Sequence, residues 1–525
     1  MSIVEKLSRI LMGVFCLMFS YQISAQSKPN IILFLVDDMG WQDCSVTFWN
    51  QPTSFNRLYE TPNMEQLAKQ GMKFNNAYAN PVCTPTRISI MTGMNVVRHG
   101  VTNWTSVHKN TPTDHPDDRL IPAKWNFNGL NPLAKSEDAV HATALPSILK
   151  NAGYHTIHVG KAHFAPYGTS GSDPLNLGFE INIAGTAAGH PGSFLAEDFY
   201  GGRSGDTLWA VRDLNEYIPQ KKFLTDALTA EAIHAIENNQ GSGKPFFLYM
   251  SHYAVHVPLS KDARYYQKYI DKGMSDAEAK YAGLIEGMDK SLGDIMDYLK
   301  KIQADKNTYI IFMSDNGGLS LAPPRNGIMH SQNLPLKKGK GSLYEGGIRI
   351  PFIVAGPGIQ PDQTSHQYIV AEDVFPTMLQ WAGVKKPSLV QSIDGQNIHP
   401  FIEDPTQKDD QKILLWHYPN NWTNINERGI SWCSAMRQGK WKLIYFHKEQ
   451  LLELYDIEKD IQEQHDLSAS MPVQLKKMAA LMTNVMKKRS AHMPVVKQSG
   501  LAIPWPDELV PASQTNSRWD LCRYF

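Results

Sequence analysis

Ile31-Ile32-Leu33-Phe34-Leu35-Val36 is an unbroken apolar run that passes directly into Asp37-Asp38. A run this short, with no polar alternation, reads as a strand buried on both faces, as in a sheet covered by helices on each side. Three more runs repeat the arrangement. His155 to Val159 leads into Gly160-Lys161-Ala162-His163, Phe246 to Met250 into Ser251-His252 and then His256, and Tyr309 to Met313 into Ser314-Asp315-Asn316-Gly317-Gly318. Segments of helical period lie between them. Thr61-Pro62 supplies a cap and an N1 proline, with Gly71 closing that helix. A second helix is expected over Ala144 to Ala152, and a third from about Ala279 to Lys301 with Leu284, Met288, Leu292, Ile295 and Leu299 on one stripe. The alternation of strand and helix gives an α/β fold.

Every one of these strands ends in residues that are costly to bury and useful for chemistry. In open α/β sheets the crevice beyond the carboxyl ends of the strands is where ligands bind, so the four ends point to one site. Taken singly, each is ordinary: Asp37-Asp38 could cap a helix, Asp315-Asn316-Gly317-Gly318 could be a tight turn, and His163 or His256 could be a structural imidazole. Together, three carboxylates and an amide oxygen in one crevice repel one another unless a cation joins them. An all-oxygen ligand set of Asp37, Asp38, Asp315 and Asn316 selects a hard divalent ion, Ca²⁺ or Mg²⁺.

The chain has 525 residues, 42% hydrophobic and 19% charged, which excludes a disordered or collagen-like polymer and leaves room for more than one packed unit. Fifty-one Lys and Arg balance 51 Asp and Glu, so nothing marks a nucleic-acid or anionic-membrane surface. Five scattered cysteines, at 16, 44, 83, 433 and 522, do not make a disulfide framework. Residues 1–25 read as a secretory signal peptide: Lys6 and Arg9, then the apolar run Ile10 to Phe19, then the small-residue exit Ile23-Ser24-Ala25. The mature chain is therefore expected to be exported, periplasmic or secreted, with no membrane span.

Past Asp394-Gly395 the texture changes. Alternating runs at Ile413 to Tyr418, Ser434 to Met436 and Trp441 to Phe446 suggest a small antiparallel sheet, followed by a helix from about Val473 to Lys488. The expected division is a catalytic unit over residues 26–400 and a smaller α+β unit over 401–525, with the tail from Pro494 wrapping the surface.

Pro81-Val82-Cys83-Thr84-Pro85-Thr86-Arg87 precedes a short helical turn, Ile88 to Thr92, closed by Gly93. Cys83 would thus sit near a helix N-terminus, where free N–H groups favour an anion. A lone cysteine is usually a small buried hydrophobe, but that leaves Thr84-Pro85-Thr86-Arg87 unexplained. Cys-x-Pro-x-Arg followed by Met91-Thr92-Gly93 resembles the signature of the type I sulfatases, whose cysteine is oxidised to formylglycine. The likeness continues in order from Pro29 to about Leu467, through Asp37-Asp38-Met39-Gly40, Gly160-Lys161-Ala162-His163, Val255-His256-Val257-Pro258, Ser314-Asp315-Asn316-Gly317, Gly339-Lys340-Gly341 and Arg437-Gln438-Gly439-Lys440-Trp441. Thr86 replaces the usual serine, Ala162 a common tryptophan, and Lys337 a frequent arginine.

The resemblance implies an alkaline phosphatase-like large mixed sheet flanked by helices, with a smaller C-terminal α+β domain. It implies Ca²⁺ ahead of Mg²⁺, held by Asp37, Asp38, Asp315, Asn316 and the group made from Cys83, and a formylglycine-generating maturase as partner. Arg87, Lys161 and Lys340 would supply positive charge to the formylglycine diol and the sulfate oxygens. Asp315 would accept the nucleophile's proton, His256, aided by Lys340, would protonate the departing oxygen, and His163 would take the proton whose loss releases sulfate. The expected substrate is a sulfated carbohydrate attacked from its end, with His330 a further contact. Trp104, His115, Arg119, Trp125, His190 and Arg203, on two long irregular segments, are candidates for the pocket mouth. The alternatives are a phosphonate monoester or phosphodiester hydrolase with the same modified residue, and a catalytically silent glycan-binding relative.

Overall fold

The computed structural model describes residues 28–510 apart from 204, 206, 320–332, 424 and 426. Strand β1 (Asn30–Val36) lies inside an eight-stranded sheet. Its side chains alternate between two apolar layers, Ile32, Phe34 and Val36 on one face and Ile31, Leu33 and Leu35 on the other, all excluded from solvent. The other strands are β2 (Met72–Tyr78), β3 (His155–Gly160), β4 (Ile181–Ile183), β5 (Phe246–Ser251), β6 (Thr308–Ser314), β7 (Phe352–Ala355) and β8 (Gln363–Val370). They run in the order β8-β2-β7-β6-β1-β5-β3-β4. Strand β7 is antiparallel to both neighbours, and the remaining pairs are parallel. This is the large mixed sheet expected.

Helices cover both faces. Helix α1 (Pro62–Gln70), α4 (Leu224–Asn239) and α5 (Asp276–Lys301) pack on the Ile32 layer, while α2 (Cys83–Thr92), α3 (Leu145–Asn151) and α6 (Val374–Trp381) pack on the Ile31 layer. The stripe Leu284, Met288, Leu292, Ile295 and Leu299 of α5 is buried throughout. That helix starts at Asp276 rather than Ala279 because the Ser275 hydroxyl accepts from the Glu278 N–H, which extends the first turn.

The cap on α1 differs from the sequence expectation. Thr61 makes no side-chain cap hydrogen bond; its hydroxyl accepts instead from the Ser45 N–H at 2.9 Å. The free N–H groups of α1 are taken by Asp289 of α5, whose Oδ1 accepts from Met64 N at 2.7 Å and Oδ2 from Asn63 N at 3.0 Å. A carboxylate at a helix N-terminus also opposes the dipole, so a tertiary contact replaces a local one.

The second sheet is fully antiparallel, β9 (Ile413–Tyr418), β10 (Cys433–Gln438), β11 (Trp441–Phe446) and β12 (Leu451–Asp456) in sequential order. Trp416, Ala435, Ile444 and Phe446 face Tyr78, Val82 and Tyr344 of the main body. Leu415, Met436, Leu443 and Tyr445 face Met478, Met482 and Met486 of helix α7 (Pro472–Lys488). The adjacent pair Leu451-Leu452 breaks the alternation that would have revealed β12. The described part of the tail contributes a strand of its own: Val495–Val496 pairs antiparallel with Leu120–Ile121. No helix among the described residues is long and apolar enough to cross a membrane. The signal-peptide reading lies outside the described residues.

Candidate active site

The main sheet levels its strand ends. Val36 stands opposite Ser314, Leu35 opposite Ser251 and Gly160 opposite Ser251, so β6, β1, β5 and β3 finish side by side. Because all four run in the same direction, the residues that follow them emerge at one edge. Gly160 makes the turn there, with φ +100°, and a Cβ would fall 1.9 Å from the Ser251 carbonyl oxygen. A side chain at that position would push Lys161 out of the crevice.

Three carboxylates and three cations meet at this edge, all of them buried and only Lys340 retaining slight contact with solvent. Lys161 Nζ donates to Asp37 Oδ2 at 2.5 Å, and Lys340 Nζ donates to Asp38 Oδ2 at 2.8 Å. Arg87 donates to Asp315 Oδ2 from Nε at 3.0 Å and Nη2 at 2.8 Å, and its Nη1 reaches Ser251 Oγ at 2.6 Å. Asn316 Nδ2 donates to Asp38 Oδ1 at 2.8 Å. Burial, and next the neighbouring Asp315, push the Asp37 carboxyl up to about 8. Asp38 goes the other way: against the cost of its burial, Lys340, His256 and Lys161 hold it well below the usual carboxylate range.

Cys83 is the first residue of α2, at 3% exposure, and its Sγ lies 3.5 Å from His163 Nδ1. Burial raises the thiol's pKa, partly offset by Lys161 and Lys340, so at neutral pH the unmodified side chain is a neutral thiol rather than a poised thiolate. His163 Nε2 lies 2.9 Å from the Thr105 carbonyl. A carbonyl only accepts, so in the neutral ring Nε2 carries the proton and Nδ1 turns its lone pair to Cys83. Burial, and then Lys161, keep His163 well below the ordinary imidazole pKa.

His256 stands at the other side of the crevice. Its Nδ1 donates to the Val257 carbonyl at 2.9 Å and its Nε2 is 3.5 Å from Asp38 Oδ2. A cavity of about 410 Å³ opens above Cys83, His163, His256 and Lys340, and Trp104, Trp209 and Trp422 form part of its wall. The Trp422 ring rests on the backbone of Gly341, at φ +84°, where a Cβ would meet it at 2.0 Å. The residue after Lys340 must be small for the C-terminal sheet to bring this tryptophan in.

The structure thus gathers Asp37, Asp38, Cys83, Arg87, Lys161, His163, His256, Asp315, Asn316 and Lys340 in one crevice. His330 lies outside the described residues. His252, which follows Ser251, turns away and meets Ser291 of α5 at 2.9 Å, as a structural imidazole does. Of the loop candidates, Trp104 and His190 line the cavity. Trp125 is buried and donates to Asp114, Arg119 donates to the Lys448 carbonyl, Arg203 sits over the Phe199 ring, and the His115 N–H donates to the Asn421 carbonyl, so these four serve local packing. Trp209 and Trp422 were not singled out, because nothing local marks a loop tryptophan as facing a pocket. Ser251 as a partner of Arg87 was equally invisible; only the level strand ends place it there.

The donor set fits a cation. Asp37 Oδ1 and Asn316 Oδ1 are buried with no hydrogen-bond partner among the described residues, an expensive arrangement unless something else binds them. Asp37, Cys83 and Asp315 offer ligand atoms all within 4.8 Å of one another, and so do Asp37, Asp38 and His256. Carboxylate and amide oxygens in this number suit a hard divalent ion.

Sheet, flanking helices and crevice define the class, an enzyme of the alkaline phosphatase-like superfamily with an α/β fold. A family model described as Sulfatase matches residues 29–384, and one described as N-sulphoglucosamine sulphohydrolase, C-terminal, matches 339–492. A sulfatase of Formosa agariphila is 30% identical over 86% of each chain. The N-acetylgalactosamine-6-sulfatase of Mus musculus is 29% identical over 78% of this chain and 76% of its own. Among solved structures, Ps i-CgsB in complex with k-i-k-neocarrahexaose is 28% identical, with a TM-score of 0.66 over 88% of this chain and 93% of that one. The chain belongs to the sulfatase family and is a sulfuric ester hydrolase.

Proposed function

We propose that the chain removes sulfate esters from the ends of sulfated carbohydrates, outside the cytoplasm, through a formylglycine made from Cys83. The observation that carries the reading is the position of Cys83: first residue of α2, on the floor of the cavity, with Asp37 and Asp315 ligand atoms within 4.8 Å. Asp37, Asp38, Asp315 and Asn316 would hold Ca²⁺, with Mg²⁺ second. When present, the ion and the hydrated aldehyde at position 83 supply charge neutralisation and an activated oxygen nucleophile.

The chain's own groups do the rest. Arg87, Lys161 and Lys340 supply positive charge to the group at position 83 and to the sulfate oxygens, with Lys340 at the cavity lining. Asp315 takes a proton at a carboxylate oxygen, and His256, in its doubly protonated form beside Asp38 Oδ2, would give its Nε2 proton to the departing oxygen while Nδ1–H stays on the Val257 carbonyl. His163 Nδ1, already turned to position 83, accepts the proton whose loss frees the product. Trp104, Trp209 and Trp422 supply aromatic faces of the kind sugar rings lie on. A cavity of about 410 Å³ lies in the lower part of the usual range for ligand sites and has room for a sugar ring. The carbohydrate named in the N-acetylgalactosamine-6-sulfatase relative and the neocarrahexaose in the solved complex support the substrate class.

Mass spectrometry of the Cys83 peptide, from protein made with a formylglycine-generating maturase, is expected to show CH₂SH exchanged for CHO, and Cys83→Ala to abolish sulfate release. An intact thiol in fully active protein would refute the mechanism. Rates on aryl sulfates and aryl phosphodiesters compared side by side are expected to favour the sulfates; a strong phosphodiester preference would assign the chain to the alternative hydrolase.

A further inference from the structure

Three ring planes stand parallel at the cavity wall. His190 stacks on Trp209 with centroids 4.1 Å apart and planes 7° apart, and on His256 at 5.8 Å and 9°. The hydrogen bonds of His256 do not by themselves fix its plane, since Nδ1 is tied to the carbonyl of the adjacent residue and Nε2 reaches Asp38 only at 3.5 Å. The support behind the stack is firm. The Gly192 N–H donates to the Trp209 carbonyl at 2.7 Å, and Gly192 lies so close to Gly201 that a Cβ would meet the Gly201 Cα at 2.7 Å. His190 Nδ1 is itself occupied by the Pro191 carbonyl at 3.0 Å.

We propose that His190, braced by Trp209, is a positioning residue that fixes the ring plane of His256 and so aims its Nε2 at the departing ester oxygen. The inference rests on the reading of His256 as proton donor. Proton transfer tolerates little misalignment, and a displacement near 1 Å costs about 100-fold in rate. What the stack requires of residue 190 is a flat ring rather than a hydrogen-bonding atom, and phenylalanine satisfies it.

The test is a leaving-group series from 4-nitrophenyl sulfate to phenyl sulfate on the mature enzyme. Nitrophenolate leaves without help, whereas phenolate profits from a proton. His190→Ala is expected to keep kcat on 4-nitrophenyl sulfate within a few fold and to lose at least ~10-fold more on phenyl sulfate, within the range that general acid catalysis contributes. His190→Phe should regain most of that loss, and Trp209→Ala should reproduce part of it. Equal losses on both substrates, a loss confined to KM, or a phenylalanine variant as poor as alanine would overturn the proposal. His256→Ala separates the two readings: a steepened series there with a flat one in His190→Ala refutes the positioning role alone, while a flat series in His256→Ala refutes His256 as the acid. The retained turnover of 4-nitrophenyl sulfate reports that the His190 variants are folded, and an unchanged far-ultraviolet circular dichroism spectrum and thermal midpoint report it for Trp209→Ala and His256→Ala.

Discussion

Asn316 uses the two ends of one amide for different purposes. Its Nδ2 donates to Asp38 Oδ1 and orients that carboxylate, while its buried Oδ1 has no partner among the described residues. A divalent ion seated there binds only the folded chain, so Ca²⁺ should raise the thermal midpoint, by an amount equivalent to about 2.7 kcal/mol at a hundredfold excess over Kd. Asn316→Ala should weaken Ca²⁺ by at least the roughly 10-fold that even an outer-sphere partner contributes. Thermal unfolding across a Ca²⁺ titration measures both. An unchanged midpoint in the wild type would remove the ion from this crevice. Asp37, Asp38, Lys161, His163, Asp315 and Asn316 were legible at this scale because each is a costly side chain placed just after an apolar strand, and Cys83, Arg87, His256 and Lys340 because they stand in motifs. The second contacts of these groups were not: Ser251 beneath Arg87, Thr105 behind His163 and His190 against His256 come from segments far apart in the chain.

Among the elements, the four strands leading into the site were readable almost to the residue, since burial on both faces leaves an uninterrupted apolar run. Strands β2, β4 and β8 contain polar residues and lack that signature, whereas β7 (Phe352–Ala355) has it but nothing in the run shows that its direction is reversed. Helix α1 shows how a local rule yields to packing. Thr61 has the right chemistry for a cap, yet its hydroxyl is engaged by Ser45 and the helix end is closed by Asp289 from α5. Asp289→Ala should therefore cost about 2 kcal/mol, the upper end for a helix cap, because the Asn63 and Met64 N–H groups and Asn63 Nδ2 lose their acceptor at once. The shift would appear as a lower denaturant midpoint at unchanged slope. A change below about 0.5 kcal/mol would return the capping role to residues on α1 itself.

Across the whole molecule, the C-terminal sheet is tied to the segment that carries Lys340. Lys442 of β11 pairs with Glu345 at 2.9 Å and Glu463 at 2.8 Å, and Lys337 donates to the Glu463 carbonyl at 3.1 Å. All three charged groups of the Lys442 cluster are buried. Replacing Lys442 with methionine leaves two buried carboxylates without that cation, and breaking a buried pair costs about 3–5 kcal/mol. Equilibrium unfolding should show a loss of this size, together with weaker sulfate release as the Lys340 segment loosens; a stability unchanged within error would mean that Arg349 and Arg437 suffice. The sequence by itself determined the strand cores, the residues at their ends and the motif around Cys83, because burial and metal or anion chemistry restrict residue type position by position. Only the tertiary structure decided which loops reach the cavity, which histidine turns inward and what holds each ring in place, since those depend on register and packing between residues that the chain keeps far apart.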